Sequence, residues 1–132
     1  MSDYRKTRLY DSHQSLKAKL VPFSGFWMPL QYSSIIKEHN HVRSKSGLFD
    51  VSHMGEFIVS GNNAKTFLQN VTTNDIQKLE AGRVQYSAFC KDSGGVIDDL
   101  LVYHLGDHYM LVVNASNIEK NFEWLSSKLI DD

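Results

Sequence analysis

The most regular pattern of hydrophobic and polar positions in the chain begins at Val84. The segment "VQYSAFC" alternates, which places Val84, Tyr86, Ala88 and Cys90 on one face of a strand. The segments "VIDDLLVYHL" and "YMLVVNA" follow as further strands, while "KDSGG" and "GDH" have the composition of turns. Three consecutive strands with short turns predict an antiparallel meander.

Two segments before the meander have helical spacing. The first is capped by Ser33 or Ser34 and runs to about Lys45, where the following glycine would end it. The second is "AKTFLQNV", which Asn62 or Asn63 can cap. Between these two helices the segment "GEFIVSG", bounded by glycines, is typical of one more strand.

The segment "SNIEKNFEWLSSKLI" predicts a third, amphipathic helix after the meander. Ser116 can cap this helix, and Glu119 occupies the capping-box position. Its expected inward stripe consists of Ile118, Phe122, Leu125 and Leu129. The order of elements favours an α+β fold, with an antiparallel sheet (the meander plus one or more strands) and helices packed on one face.

Residues 1–32 are harder to assign. The segment "VPFSGFWMPLQY" is rich in aromatic and apolar side chains, but Gly25 and two prolines argue against a long regular element. Such apolar density also argues against exposure to solvent. We therefore expect residues 1–46 to be an N-terminal segment that lies across something larger, and residues 47–132 to form the better-closed α+β domain.

Composition excludes several classes of function. The 132 residues amount to about one domain, and a formal net charge of −1 without a Lys/Arg-rich run gives no field that favours nucleic acid or an anionic membrane. A single cysteine excludes an internal disulfide. There is no secretory signal and no apolar run of the roughly 20 residues that a membrane span needs. We expect a soluble, cytoplasmic protein that binds neither nucleic acid nor membrane.

The segment "DVSHMGE" brings Asp50, Ser52 and His53 close together in sequence. We reject a catalytic triad here, because triad members are assembled by the fold rather than by adjacency, and no nucleophile elbow is present. For His53 we expect instead a ring satisfied by the neighbouring backbone.

Metal and nucleotide sites are not expected either. His39 and His41 are two residues apart, a spacing that does not share a helix face. Cys90 adjoins one basic residue, Lys91, so a buried, inert thiol is the expectation. The segment "DSGGV" lacks the lysine of a phosphate-binding loop.

Asp98 and Asp99 are the most unusual pair, because they interrupt an apolar strand and an ionised carboxylate is costly to bury. Neighbours on a strand point to opposite faces, so the two cannot act as a paired catalytic dyad. Two alternatives stay open at this point. One aspartate bonds the backbone of "DSGG" at the solvent edge, or one is a pocket carboxylate inside an apolar frame.

Four segments together resemble the N-terminal part of the glycine cleavage T-protein (aminomethyltransferase) family: "PFSGFWMPLQY", "EHNHVRSKSGLFDVSHMGE", "GGVIDDLLVY" and "VVNASNIEKNFEWL". The resemblance runs in order from about Leu9 to Leu125. It implies an enzyme that takes the aminomethyl group from the lipoyl arm of H-protein and passes the one-carbon unit to tetrahydrofolate. The products would be 5,10-methylenetetrahydrofolate, ammonia and the dihydrolipoyl arm.

The resemblance also implies site residues. The second aspartate of the family's "DDL" is held essential beside the folate, and it corresponds to Asp99. The methionine of "SHM", Met54, would line the folate pocket. The strand end "VVNA" would approach the pterin through Val113 and Asn114, and Tyr86 is a weaker candidate for folate binding. Asp98 is left as the structural or solvent-facing neighbour.

The chain departs from the family in length, since family members are well over twice this size and have three domains. We therefore expect an N-terminal fragment or truncated form whose first residues pack with a missing later part, and which binds folate weakly and lacks transferase activity. A folate-dependent demethylase of the same superfamily and a non-catalytic folate-binding module are the alternatives.

Overall fold

The computed structural model describes residues 4–129. The chain divides into two compact units between His53 and Met54, and each unit is described by itself. The boundary expected from sequence, after residue 46, falls inside the first unit. No helix among the described residues is long and apolar enough to cross a membrane.

The first unit contains a small three-stranded sheet in the order β1-β3-β2, with β2 antiparallel and β1 parallel to β3. Its elements in chain order are β1 (Arg5–Lys6), α1 (Tyr10–Ser15), β2 (Lys19–Phe23), β3 (Phe26–Gln31) and α2 (Ile35–Ser44).

Strands β2 and β3 form a hairpin that the sequence reasoning missed. Ser24 and Gly25 make its turn with positive φ angles of 47° and 81°, a conformation that glycine adopts without strain. Pro22 lies on β2, an edge strand, and Pro29 lies beyond the two residues that β1 pairs. Edge positions of this kind tolerate proline's missing N–H. Gly25 and the two prolines do exclude one long strand or helix here, but they are compatible with the two short strands β2 and β3.

Helix α2 begins after Ser34, as predicted, but the serine side chain makes no capping bond. Glu38 does so instead, since its Oε1 accepts from the backbone N–H groups of Ser33 (2.6 Å), Tyr32 (2.9 Å) and Ser34 (3.1 Å). These donors, Ser33 first, hold the pKa of Glu38 below its ordinary value. No residue of α2 is buried, and the helix ends at Ser44.

The second unit is built on a four-stranded antiparallel sheet in the order β4-β7-β6-β5. Its elements are β4 (Gly55–Val59), α3 (Ala64–Val71), β5 (Val84–Cys90), β6 (Val96–His104), β7 (Tyr109–Val113) and α4 (Ile118–Ser126). The predicted meander β5-β6-β7 is confirmed. Strand β4 joins it beside β7, which gives the strand order of a Greek key.

The core of the second unit lies between one face of this sheet and helices α3 and α4. Leu68 of α3 and Phe89, Val102, Leu111 and Val113 of the sheet are fully buried. The opposite face of the sheet is open, since Ile58, Val84 and Tyr86 are 61, 50 and 64 % exposed. The predicted α+β fold, with helices on one face of an antiparallel sheet, is confirmed.

Helix α4 differs from its prediction. A short 3-10 turn, Ala115–Asn117, precedes it, so Ser116 with Glu119 does not start the helix as a capping box. Of the expected stripe Leu125 is buried, but Phe122 and Leu129 are 60 and 64 % exposed. The reason is that Asn121, which is fully buried, occupies the inward position.

Candidate functional site

The candidate site lies on the open face of the second unit's sheet. Asp99 of β6 is opposite Ala88 of β5, and Leu101 is opposite Tyr86. Because side chains alternate along a strand, Asp99, Leu101 and Tyr86 share this face. Asp98 points to the other face, toward the helices, and is 8 % exposed. The prediction that the two aspartates face opposite ways is confirmed.

Asp98 is held in the core by two side-chain amides. Its Oδ2 accepts from Asn121 Nδ2 on α4 at 2.6 Å, and its Oδ1 accepts from Asn114 Nδ2, just after β7, at 3.0 Å. Among residues 4–129 no Lys, Arg or His forms an ion pair with it. Asp98 is thus the structural neighbour, and the alternative in which an aspartate bonds the backbone of "DSGG" is wrong.

Asp99 is half-buried and accepts two hydrogen bonds. Tyr86 Oη donates to its Oδ2 at 2.8 Å, and Asn114 Nδ2 donates to its Oδ1 at 2.7 Å. Both bonds, Tyr86 first, lower the pKa of Asp99 below its ordinary value, and the bond to Asp99 raises the pKa of Tyr86. At neutral pH the site therefore combines an ionised carboxylate with a protonated phenol.

Asn114 connects the two aspartates. Its Nδ2 lies within 3.0 Å of Asp98 Oδ1 and within 2.7 Å of Asp99 Oδ1. The amide must face them with its nitrogen, because an oxygen in that position would meet two carboxylates without a proton between them. Two aspartates on opposite faces of a strand therefore share one donor group.

Met54 and Val113, the remaining residues predicted to bind folate, lie differently. Met54 is half-buried and directly precedes β4, whose Gly55 pairs with Val113. The pairing of β4 with β7 ends at Gly55 and Val113, so Met54 and Asn114 both lie directly beyond it, at the same end of the sheet. The side chain of Val113 is fully buried in the core, opposite Leu100. Only the main chain of Val113 could reach a ligand beside Asp99.

Asn121 is the site-related residue that sequence reasoning missed. It stands one turn after Ile118 and one turn before Leu125, so it lies within the inward stripe of the helix. A polar residue in that stripe was the available signal, because a buried amide needs a partner.

The triad excluded from "DVSHMGE" is absent from the first unit. Asp50 accepts from Ser52 Oγ at 2.6 Å, but its other oxygen bonds His13 Nε2 at 2.8 Å, not His53. The ring of His53 packs edge-on against Phe23, with 5.7 Å between centroids. Its Nδ1 is buried without a partner, so the expectation of backbone satisfaction is wrong.

No other chemistry competes with this site within residues 4–129. No group of three or more His, Cys, Asp or Glu residues could hold a metal ion there. Cys90 is half-buried rather than buried, and it lines a cleft of about 370 Å³ together with Phe67 and Trp124. That cleft does not include Asp99, whose surroundings are an open sheet face.

The sequence matches the family model described as "GCVT N-terminal domain" over residues 9–131. A curated relative from Chloroherpeton thalassium, named aminomethyltransferase, is 59 % identical over 127 residues, which is 96 % of this chain and 35 % of the relative. Another aminomethyltransferase, from a Geobacillus species, is 53 % identical over 97 % of this chain and 35 % of its own length. The chain spans about a third of the length of these relatives.

A solved structure gives the same result. The crystal structure of glycine cleavage system aminomethyltransferase T from Bartonella henselae matches with a TM-score of 0.89 at 36 % identity, covering 96 % of this chain and 36 % of that one. The fold, the sequence relatives and the family model agree, and the chain belongs to the family of the GCVT N-terminal domain, whose curated relatives are aminomethyltransferases.

Proposed function

We propose that the chain contributes the folate-facing part of an aminomethyltransferase. The enzyme would transfer the aminomethyl-derived carbon from the lipoyl arm of H-protein to tetrahydrofolate in the cytoplasm, giving 5,10-methylenetetrahydrofolate and ammonia. The names of the relatives support this reaction over demethylation of a small methylated compound. Because the chain spans about a third of those relatives, we expect weak folate binding and no transferase activity from it alone.

The observation that carries the proposal is the carboxylate of Asp99. It is ionised, half-buried and held by Tyr86 and Asn114 on an open sheet face. Pterin rings are planar and present several N–H donors, and a carboxylate accepts such donors in strong, charge-assisted bonds. With Oδ1 and Oδ2 each taking one protein donor, both oxygens keep lone pairs for a ligand.

The same carboxylate suits the proposed chemistry. Transfer of a one-carbon unit between a thiol arm and an amine develops positive charge on the carbon, and a fixed negative charge at lowered dielectric stabilises it. Leu101 and the ring of Tyr86 lie on the same face as Asp99, and Asp99 is half-buried there. Fixing the acceptor nitrogen against the carbon would add an orientation effect.

Titration of the 132-residue chain with tetrahydrofolate, followed by calorimetry or fluorescence, tests the proposal. Asp99→Ala is expected to weaken binding by roughly tenfold or more, since a hydrogen bond to a charged group is removed. The affinity of Asp99→Asn should lie between those of the unaltered chain and Asp99→Ala, because asparagine keeps the shape of the side chain but not its charge.

Asp107→Ala is the matched control, because Asp107 is an exposed aspartate in the next turn whose side chain bonds its neighbour His108. It should bind like the unaltered chain. Equal affinity of Asp99→Ala and the unaltered chain, or no detectable binding by the unaltered chain, would contradict the proposal.

A further inference from the structure

We infer that the buried pair Asp98 and Asn121 are positioning residues that fix the amide of Asn114, and through it the carboxylate of Asp99 on the opposite face of the sheet. What Asp99 binds rests on the proposed function. The arrangement itself does not, because it follows from contacts inside the second unit.

A continuous chain of side-chain hydrogen bonds connects Asn121 in the core with Tyr86 on the open face. Asn121 Nδ2 donates to Asp98 at 2.6 Å, Asn114 Nδ2 donates to Asp98 at 3.0 Å and to Asp99 at 2.7 Å, and Tyr86 Oη donates to Asp99 at 2.8 Å. The chain begins on α4 in the core, crosses β6 and ends on β5 at the open face. Three elements and the residue that follows β7 are thereby connected around one ligand-facing carboxylate.

Core stability does not explain Asp98. A buried carboxylate without a cation is costly, and a leucine at this position would suit an apolar core better. Its two amide donors, Asn114 and Asn121, reduce that cost without removing it. The presence of the carboxylate therefore points to a task outside the core.

Core stability does not explain Asn121 either. Its side chain is fully buried, and its Oδ1 has no hydrogen-bond partner. An unsatisfied buried acceptor destabilises the fold, and such exceptions require a specific reason. Within residues 4–129 this side chain makes one hydrogen bond, the 2.6 Å bond to Asp98. Two costly groups that satisfy mainly each other are typical of a site that is supported from behind.

The task is to fix Asn114. This residue follows the last residue of β7, where the ladder that would restrict it has ended. An amide nitrogen with two protons is held in one orientation when each proton has its own acceptor. Asp98 supplies the acceptor on the core side and Asp99 the acceptor on the open side. The same nitrogen also lies 3.4 Å from the main-chain oxygen of Asp99, a longer contact. Without Asp98 the amide would lose its acceptor on the core side, and its orientation toward Asp99 would be less restricted.

Nothing else among the described residues holds Asp99 as firmly. Tyr86 is 64 % exposed, so packing does little to fix its hydroxyl. Glu56 of β4 shares the open face, but strands β7 and β6 lie between β4 and the strand that carries Tyr86, so Glu56 does not compete for the Tyr86 hydroxyl. Lys120 donates to the backbone oxygen of Ile97 rather than to a carboxylate.

Two substitutions in the full 132-residue chain separate positioning from charge. Asn121→Leu keeps the number and branching of the heavy atoms, removes the orphaned oxygen and takes away one donor of Asp98. The buried carboxylate must then draw more on Asn114, at the expense of Asp99. Asp98→Asn removes the charge but restores the bonds, because the new amide can accept from Asn114 and donate to the unpartnered oxygen of Asn121.

The first readout is the pKa of Asp99, measured by ¹³C NMR titration of its carboxyl carbon. Asn121→Leu should raise it toward the ordinary value, and Asp98→Asn should leave it low. In tetrahydrofolate titrations Asn121→Leu should weaken binding roughly tenfold, the effect of one charge-assisted bond, while Asp98→Asn retains it. An unchanged pKa of Asp99 in Asn121→Leu, or equal losses of tetrahydrofolate affinity in both variants, would overturn the inference.

A second readout needs no substitution. Both side-chain amide protons of Asn114 should exchange slowly with solvent, whereas those of Asn40, exposed on α2, should exchange fast. Fast exchange at Asn114 would overturn the inference even if Asn121→Leu did not fold. If the chain bound no folate, the proposed function would fail, and the NMR readouts would still decide the positioning role.

Discussion

Asp50 in the first unit and Asp99 in the second are both hydrogen-bonded carboxylates, but they differ in how accessible their oxygens are. The side chain of Asp50 is 1 % exposed, and it accepts bonds from His13, from Ser52 Oγ and from the Ser52 backbone. Asp99 accepts from Tyr86 and Asn114 and remains half-buried on an open sheet face. A closed and satisfied carboxylate stabilises the fold, whereas one with accessible lone pairs can bind a ligand.

The largest effect expected from this contrast is on stability. Asp50→Ala would leave Nε2 of the buried His13 without its partner, although Tyr32 still bonds Nδ1, and should lower the free energy of unfolding by roughly 3 kcal/mol. Denaturant titration followed by circular dichroism measures this, with Asp11→Ala on the exposed side of α1 as the control. Asp99→Ala should change the midpoint far less. Equal midpoints for the Asp50 and Asp99 variants would break the comparison.

The next effect is on acid stability. Burial acts to raise the pKa of Asp50, but the bonds from Ser52 and His13 outweigh it and hold the pKa well below its ordinary value. A carboxyl with a lowered folded-state pKa stabilises fully above its unfolded value of about 3.9, and this contribution is lost as pH falls below it.

Unfolding midpoints measured from pH 6 downward should therefore fall more steeply for the unaltered chain than for Asp50→Asn, which has no carboxyl to protonate at this position. Parallel curves for the two proteins would show that Asp50 does not contribute to acid stability.

A smaller effect is expected at the edge of the candidate site. Tyr86→Phe removes the first donor to Asp99, so the pKa of Asp99 should rise toward its ordinary value and tetrahydrofolate should bind a few-fold more weakly. NMR titration and calorimetry measure the two quantities. The substitution keeps the aromatic ring of Tyr86. Tyr103→Phe on the neighbouring strand β6 removes a tyrosine hydroxyl in the same way and is the control. An unchanged pKa of Asp99 in Tyr86→Phe would show that Asn114, and not Tyr86, orients the carboxylate.

The smallest effect concerns a third carboxylate, Glu38, which is satisfied but only half-buried. Glu38 accepts the backbone N–H groups that precede α2, yet it lies at the surface. Glu38→Ala should lower the unfolding midpoint slightly, because the helix start loses its acceptor, and Glu38→Gln should recover most of it. A loss as large as that of Asp50→Ala would show that burial is not the decisive difference.

Local patterns in the sequence accounted for much of this structure. Alternation along β6 separated Asp98 from Asp99, and short turns predicted the meander. The family resemblance implied that Val113 and Asn114 both approach the pterin. The structure buries the side chain of Val113 in the core, whereas Asn114, just past the end of β7, bonds both Asp98 and Asp99.

Contacts between distant segments could not be predicted in this way. Phe122 and Leu129 fit the helical period as well as Leu125 does, but the inward face of α4 carries Leu125 and Asn121, and Asn121 bonds Asp98, 23 positions earlier. The hairpin in the first unit was hidden for a related reason. Pro29 is acceptable in β3 because β1 is too short to reach it, and one segment's sequence carries no information on another's length.

The amide shared by Asp98 and Asp99 has a consequence on the far side of the sheet. Coupling between two sites is reciprocal in free energy, so whatever restrains Asn114 from the open face also restrains it from the core. A molecule bound at Asp99 should therefore tighten α4, which Asn121 and Lys120 tie to β6. Slower hydrogen exchange along α4 would report binding from a helix that the bound molecule never touches.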